Sequence, residues 1–223
     1  MFRAGPRECY RFLAVAPRIL DISPLVSPRL GVWPGDVPYA AEWALKIADG
    51  ANLDLSSIRA TVHLGAHADA PRHYSAAGSG IHARELERYY GNCQVMAVAV
   101  GPGERVRPRH LHEPVRAERV LFRTGTFPDP ERWNSDFAAL SAELVEYLWR
   151  HGVHLVGIDT PSIDPQEDKI LESHSAVAAR DMAILEGLVL RHAEPGLYTL
   201  IALPLKLEHA DASPVRAVLV QEP

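Results

Sequence analysis

Seven short apolar runs rich in β-branched residues return along this chain of 223 residues, with few helical stretches between them. They are LDLSSIRATVHL, CQVMAVAV, RVLFRT, VHLVGID, MAILEGLVL, LYTLIALPL and VRAVLV. Alternation is clear in the first, while the others are more continuously apolar, as strands buried on both faces are. A short strand at RILDI precedes SPLVSPRLGVWPGDVP, whose four prolines and two glycines mark an irregular loop. Helical signals are fewer. SAELVEYLWRHG has a capping serine, Glu143 in its first turn and a His-Gly end. ARELERYYG and LESHSAVAARD are shorter helix candidates, and RPRHLHEPV is a helical turn. A regular doubly wound sheet would alternate strand and helix more strictly. The pattern therefore predicts an α/β single domain: a mixed β-sheet core of about seven to nine strands, partly covered by three or four helices.

The length suits one domain with a large core. A net charge of −5 and the lack of a basic stripe argue against a nucleic-acid surface. The apolar runs fall far short of the ~20 residues needed to cross a bilayer, so no membrane partner is expected. Only Cys9 and Cys93 occur, which excludes a disulfide framework and a cysteine-rich zinc site. Cys93 reads as a small core residue, and any metal must be held by nitrogen and oxygen. The opening MFRAGPRECYRFLAVAPR has too short an apolar patch for a signal peptide. Residues 1–17 are expected to be a poorly ordered extension or a start-codon artefact, residues 18–223 the domain, and the protein cytoplasmic.

The densest chemistry lies in HLGAHADAPRHY, residues 63–74, which holds His63, His67, Asp69 and His73. The four-residue spacing of His63 and His67 would suit a helix face, but Gly65, Pro71 and the β-patterned approach oppose one. As extended chain, the odd positions share one side, and the small residues among them let ligands converge. Two imidazoles and one carboxylate are a suitable half-shell for zinc or manganese. The aspartate has a second oxygen with which to bridge two metals. His73, beyond the proline, sits where a general acid/base belongs. Further ligands would come from DTPSIDPQEDKILESHSAVAARDMAILEGLVL. There Asp159 and Thr160 close an apolar strand, His174 lies in a helix candidate, and Glu186 interrupts an apolar run. A carboxylate inside a buried strand is costly unless paired or metal-bound; on an edge strand it would simply face water. The other histidines, 82, 110, 112, 151, 154, 192 and 209, show no comparable pattern.

HLGAHADAPRH resembles the metal-binding signature of the cyclase-like metal-dependent hydrolases, above all the bacterial kynurenine formamidases (arylformamidases). LDISPLVSP, VWPGDVP, GIDTPSIDPQ, AILEGLVL, LIALPLKL and DASPVRAVL resemble further blocks of that family, so the likeness spans about residues 18–221. It implies the cyclase-like fold, a homodimer, and two zinc ions per chain. One zinc would be held by His63, His67 and Asp69, and a second by Asp69, His174 and Glu186. His73 would be the catalytic acid/base, and Trp33 would lie against the substrate. The family commonly has Thr where this chain has Ala66, a lost hydroxyl expected to loosen order around His67 or Asp69 without removing a ligand. The implied reaction is hydrolysis of N-formyl-L-kynurenine to L-kynurenine and formate. Alternatives are a related amide or lactam hydrolase of the isatin type using one manganese, and a metal-binding protein without activity. No G-x-S-x-G motif is present, which argues against a serine hydrolase cleaving the same bond.

Overall fold

A computed structural model describes residues 17–221, so the expectation for residues 1–17 lies, but for Pro17, outside the described residues. Thirteen strands form among the described residues. They are β1 (Arg18–Asp21), β2 (Ala40–Leu45), β3 (Leu55–Arg59), β4 (His67–Asp69), β5 (Tyr90–Ala97), β6 (Arg105–Val106), β7 (Arg119–Arg123), β8 (Ala139–Leu140), β9 (Leu155–Ile158), β10 (Ala183–Glu186), β11 (Gly196–Ile201), β12 (Ala212–Pro214) and β13 (Val218–Gln221). Helices α1 (Pro71–Tyr74), α2 (Ala142–Arg150) and α3 (Glu172–Ala179) are joined by four 3-10 turns. Nine strands make one mixed sheet in the order β1-β13-β11-β5-β7-β9-β10-β4-β12. Its middle strands β5, β7, β9 and β10 run parallel, and antiparallel strands flank them on both sides. This is the α/β mixed-sheet domain expected from the apolar runs.

The parallel strands read as continuous apolar runs because both of their faces are buried. Val120, Phe122, Val156, Ile158 and Ile184 face α2 and α3, meeting Leu144, Leu148 and Val177. Cys93, Val95, Leu121, Leu155 and Leu185 face the opposite core with Ile22, Tyr89 and Leu200. Each such fully buried side chain contributes about 1.5–3 kcal/mol of transfer free energy. Helix α2 starts where its sequence says, with Ser141 Oγ accepting a 3.1 Å hydrogen bond from Leu144 N.

Three expectations fail locally. LDLSSIRATVHL alternates, yet only Leu55–Arg59 is strand, and it pairs with β2 in a two-stranded arm outside the main sheet. Every residue of that arm is exposed, so its alternation marks no half-buried face. ARELERYYG forms no α-helix but the 3-10 turn Leu86–Tyr89, following another, Ile81–Ala83, that ends on its first residue, because β5 already begins at Tyr90. The strand MAILEGLVL stops at Glu186, since Gly187 turns out of it with φ +65°. The strand count exceeds seven to nine because β4, β6, β8 and β12 span only two or three residues, too few for a periodic signal. No helix among the described residues is long and apolar enough to cross a membrane.

Candidate metal centre

In a parallel sheet the carboxyl ends of neighbouring strands leave a crevice. Here Ala97, Arg123, Asp159 and Glu186, at or just beyond the ends of β5, β7, β9 and β10, line one cavity of about 720 Å³. That volume lies within the range usual for small-molecule sites. Antiparallel β4 lies beside β10 and brings HLGAHADAP to its rim, with Glu186 directly opposite His67 and Ile184 opposite Asp69. Cross-strand pairing thus sets the first contact, Glu186 Oε2 at 3.3 Å from His67 Nε2. Glu186 is buried on an interior strand, so the edge-strand alternative does not apply.

Only His67 and Asp69 obey the odd-position rule proposed for residues 63–73. Gly65 takes φ +58°, a left-handed turn that swings His63 back toward the cluster, and His73 rides on the one-turn helix α1. Glycine is required at this bend: a Cβ on Gly65 would meet Pro24 Cγ at 2.8 Å, and one on Gly187 would meet Gly65 O at 2.1 Å. Two glycines therefore let the β10 exit pass against the histidine loop. Ala66, Ala68 and Ala70 face the other way, into the apolar core with Ile22 and Leu188. Their small size serves packing against that core.

All six expected metal and acid/base side chains meet. Asp69 lies at the centre: Oδ1 is 3.2 Å from His63 Nδ1 and 3.5 Å from His67 Nε2, and Oδ2 is 3.4 Å from His174 Nε2. Glu186 Oε1 is 3.6 Å from His174 Nε2. The donor atoms form two trios that share Asp69, namely His67–Asp69–Glu186 and His63–Asp69–His73. That grouping differs from the expected one in two ways. Glu186 pairs with His67 as closely as with His174, and His73 joins His63.

Each imidazole is held from behind. His67 Nδ1 donates to Gly65 O at 2.8 Å, and His174 Nδ1 donates to Asp164 Oδ2 at 2.8 Å, which fixes tautomers whose Nε2 points inward. His63 Nε2 contacts Asp211 Oδ2 at 3.1 Å, leaving Nδ1 inward. Asp164 also accepts the backbone N–H groups of Ser173 and His174, so it caps α3 and aims the helix's histidine with one carboxylate. Glu186 Oε1 accepts from Ile163 N at 2.6 Å.

What remains is a set of buried donor atoms with no partner: His67 Nε2, His174 Nε2 and both oxygens of Asp69. Leaving such groups unsatisfied in a dry interior costs several kcal/mol. Burial alone would pull the pKa of His63 and His174 down. Asp69 beside the first and Asp164 and Asp69 beside the second override it, raising them to about 9 and about 10. Burial likewise raises Asp69, but His174 and His63 outweigh it and hold the carboxyl well below its usual range. The cluster thus has a field that favours positive charge. A tetrahedral ion with arms of about 2.1 Å has donor–donor edges of about 3.4 Å, which matches the contacts above. The donors, nitrogen and carboxylate oxygen only, suit zinc or manganese.

Trp33 lines the same cavity, its ring edge-on to Trp133 at 5.5 Å, and Phe127 follows at 5.7 Å. Gly31 N donates to Pro130 O at 2.8 Å and ties the proline-rich loop to the Trp133 loop. Asp159 lines the cavity too, but its carboxylate is consumed by Thr124 and Gly125 and joins the ends of β7 and β9. Thr160 is fully buried and accepts Gly187 N through its carbonyl. Cys93 is a buried free thiol in the core. Sequence reasoning assigned no role to Asp164 or Asp211, although both stand in blocks that carry the family resemblance, GIDTPSIDPQ and DASPVRAVL.

A family model described as putative cyclase matches residues 20–165. Solved structures share the fold. One, a potential metal-dependent hydrolase with cyclase activity, has a TM-score of 0.80 at 23% identity, covering 93% of this chain and all of that one, 100%. A predicted metal-dependent hydrolase from Bacillus stearothermophilus has a TM-score of 0.77 at 23% identity, covering 92% and 99%. Isatin hydrolase A from Labrenzia aggregata, bound to benzyl benzoate, has a TM-score of 0.76 at 20% identity, covering 93% and 94%.

Proposed function

The chain belongs to the putative cyclase family, and from that premise we propose that it is a metal-dependent amidohydrolase converting N-formyl-L-kynurenine and water to L-kynurenine and formate. The observation that carries this reading is the convergence of four buried, unpartnered donor atoms beside a cavity walled by Trp33, Phe127 and Trp133. His63, His67 and Asp69 would hold one zinc, and Asp69, His174 and Glu186 a second. When bound, such ions polarise a carbonyl and lower the pKa of water from 15.7 toward ~7. The aromatic wall offers a flat apolar face to an aniline ring. His73, half-exposed at the open side of the cluster, gives a proton to the anilide nitrogen as the formyl C–N bond breaks. Arg123 and Arg191 line the same cavity and form no ion pair among the described residues, which suits a substrate with a free carboxylate.

Two further assignments belong to the same reading. The working form is a homodimer, supported by the β2–β3 arm: an isolated two-stranded ribbon is marginal in water, and this one exposes Trp43, Leu45, Leu55 and Ile58. The compartment is the cytoplasm, which suits the free Cys93 thiol. The test is kynurenine release from N-formyl-L-kynurenine, followed by absorbance with and without chelator. Release that chelator abolishes is expected. Isatin opening supported by manganese, with no kynurenine formed, would replace this reading by the lactam alternative.

A further inference from the structure

We propose that Asp211 is a positioning residue, whose carboxylate aims His73 at the leaving nitrogen while holding His63 in its ligand tautomer; this rests on the hydrolase reading above. The backbone places it rigidly. Asp211 immediately precedes β12, whose Ala212 lies opposite Asp69 on β4. Its carbonyl accepts Ala70 N at 2.8 Å, and Ala70 O in turn accepts His73 N at 2.9 Å. The peptide that anchors Asp211 therefore belongs to the turn that carries His73.

The side chain then reaches both histidines with one atom. Asp211 Oδ2 is 3.1 Å from His63 Nε2 and 3.5 Å from His73 Nδ1, and the two rings lie 4.3 Å apart. Neither Lys nor Arg competes for this carboxylate in an ion pair among the described residues. A carboxylate that takes the Nδ1–H of an imidazole leaves Nε2 as the atom facing the reaction. The 3.5 Å separation is longer than a formed hydrogen bond, and contacts of this kind tighten when substrate arrives. Asp211 thereby links a ligand of the cation cluster to the group that moves the proton. Were it only a support for His63, its loss would change cation content and slow every substrate alike. Acting through His73, its loss must depend on how badly the leaving group needs a proton.

The experiment compares zinc-loaded wild type, Asp211→Asn, Asp211→Glu and His73→Ala on two substrates. Formanilide has a poor leaving group, and p-nitrophenyl formate has one that departs without a proton. Asp211→Asn is expected to lower kcat on formanilide about 10- to 100-fold with KM within about twofold. On the ester, with zinc saturating, it is expected to stay within about threefold of wild type. Asp211→Glu, which keeps the charge, should recover part of the anilide rate. Adding Asp211→Asn to His73→Ala should cost nothing further on the anilide, because the two act as a unit. Equal losses on both substrates at saturating zinc, or an unchanged anilide rate, would overturn the inference while leaving the hydrolase reading intact. A wild-type protein that cleaves neither these substrates nor N-formyl-L-kynurenine would overturn both.

Discussion

The two sides of the histidine cluster are built differently. On one side His67, Asp69, His174 and Glu186 are all at most 3% exposed, and each histidine is tethered from behind by Gly65 O or Asp164. On the other, the side chains of His63, His73 and Asp211 are 18%, 35% and 45% exposed, and their contacts run through one shared carboxylate oxygen. A dry, fully tethered set suits a group that stays in place, since a cation there gains from low dielectric and fixed donors. A half-solvated set suits a group that must exchange protons and meet substrate. The division also follows the elements. The closed side comes from adjacent strands and a capped helix, and the open side from a glycine bend, a single helical turn and the residue before β12.

Substitutions on the two sides should therefore fail in different ways. The largest effect is expected from Asp69→Asn, which removes the charge shared by both trios. Activity should fall about 10⁴-fold or more, and elemental analysis should find less than half the wild-type cation content. Two ions per chain in that variant would contradict the shared role. Next comes His73→Ala, with a loss of about 10²–10⁴ in kcat at unchanged cation content. Normal turnover would remove it from the proton path and erase the contrast between the two sides. Asp164→Asn should be smaller and of the closed-side type, weakening cation affinity about 10- to 100-fold in a chelator competition. Turnover at saturating zinc should remain near wild type.

The smallest and subtlest effect is on stability. In the chelated protein, His63 and His174 have folded pKa values of about 9 and about 10, above the ordinary value of 6.5. Their stabilisation is then complete below about pH 6.5 and is lost as the pH rises through those folded values. Thermal denaturation of the chelated chain should show Tm falling across that window. The zinc-loaded chain should show a flatter profile, because the cation takes the place of the protons. A chelated profile that is flat over the same range would show that the carboxylates do not hold these imidazoles charged.

Much of this was legible in the chain itself. The buried strands β5, β7, β9 and β10 were visible as apolar runs, helix α2 as a capped amphipathic stretch, and α3 only as a short helix candidate. Glu186 was visible because a carboxylate inside MAILEGLVL has no cheap place to go. The short strands β4 and β12 were not, since two or three residues carry no period. The exposed arm misled, because Leu55 and Ile58 alternate like a half-buried strand while lying on a ribbon whose residues are all exposed among the described residues. Asp164 and Asp211 could not be assigned from spacing: each acts on a histidine 10, 138 or 148 residues away in sequence.

By itself the sequence determined which chemistry was available. Hydrophobic pattern, cysteine scarcity and the run His63–His73 limit the answer to a mixed-sheet domain with a nitrogen and oxygen metal cluster, because these are local properties of residue type and order. Tertiary structure alone decided which groups back which histidine, which side of the cluster is dry, and that two left-handed glycines let β10 and the histidine loop pass each other. Those depend on strand order and register, β10 between β9 and β4 with Glu186 opposite His67, and no local periodicity encodes them.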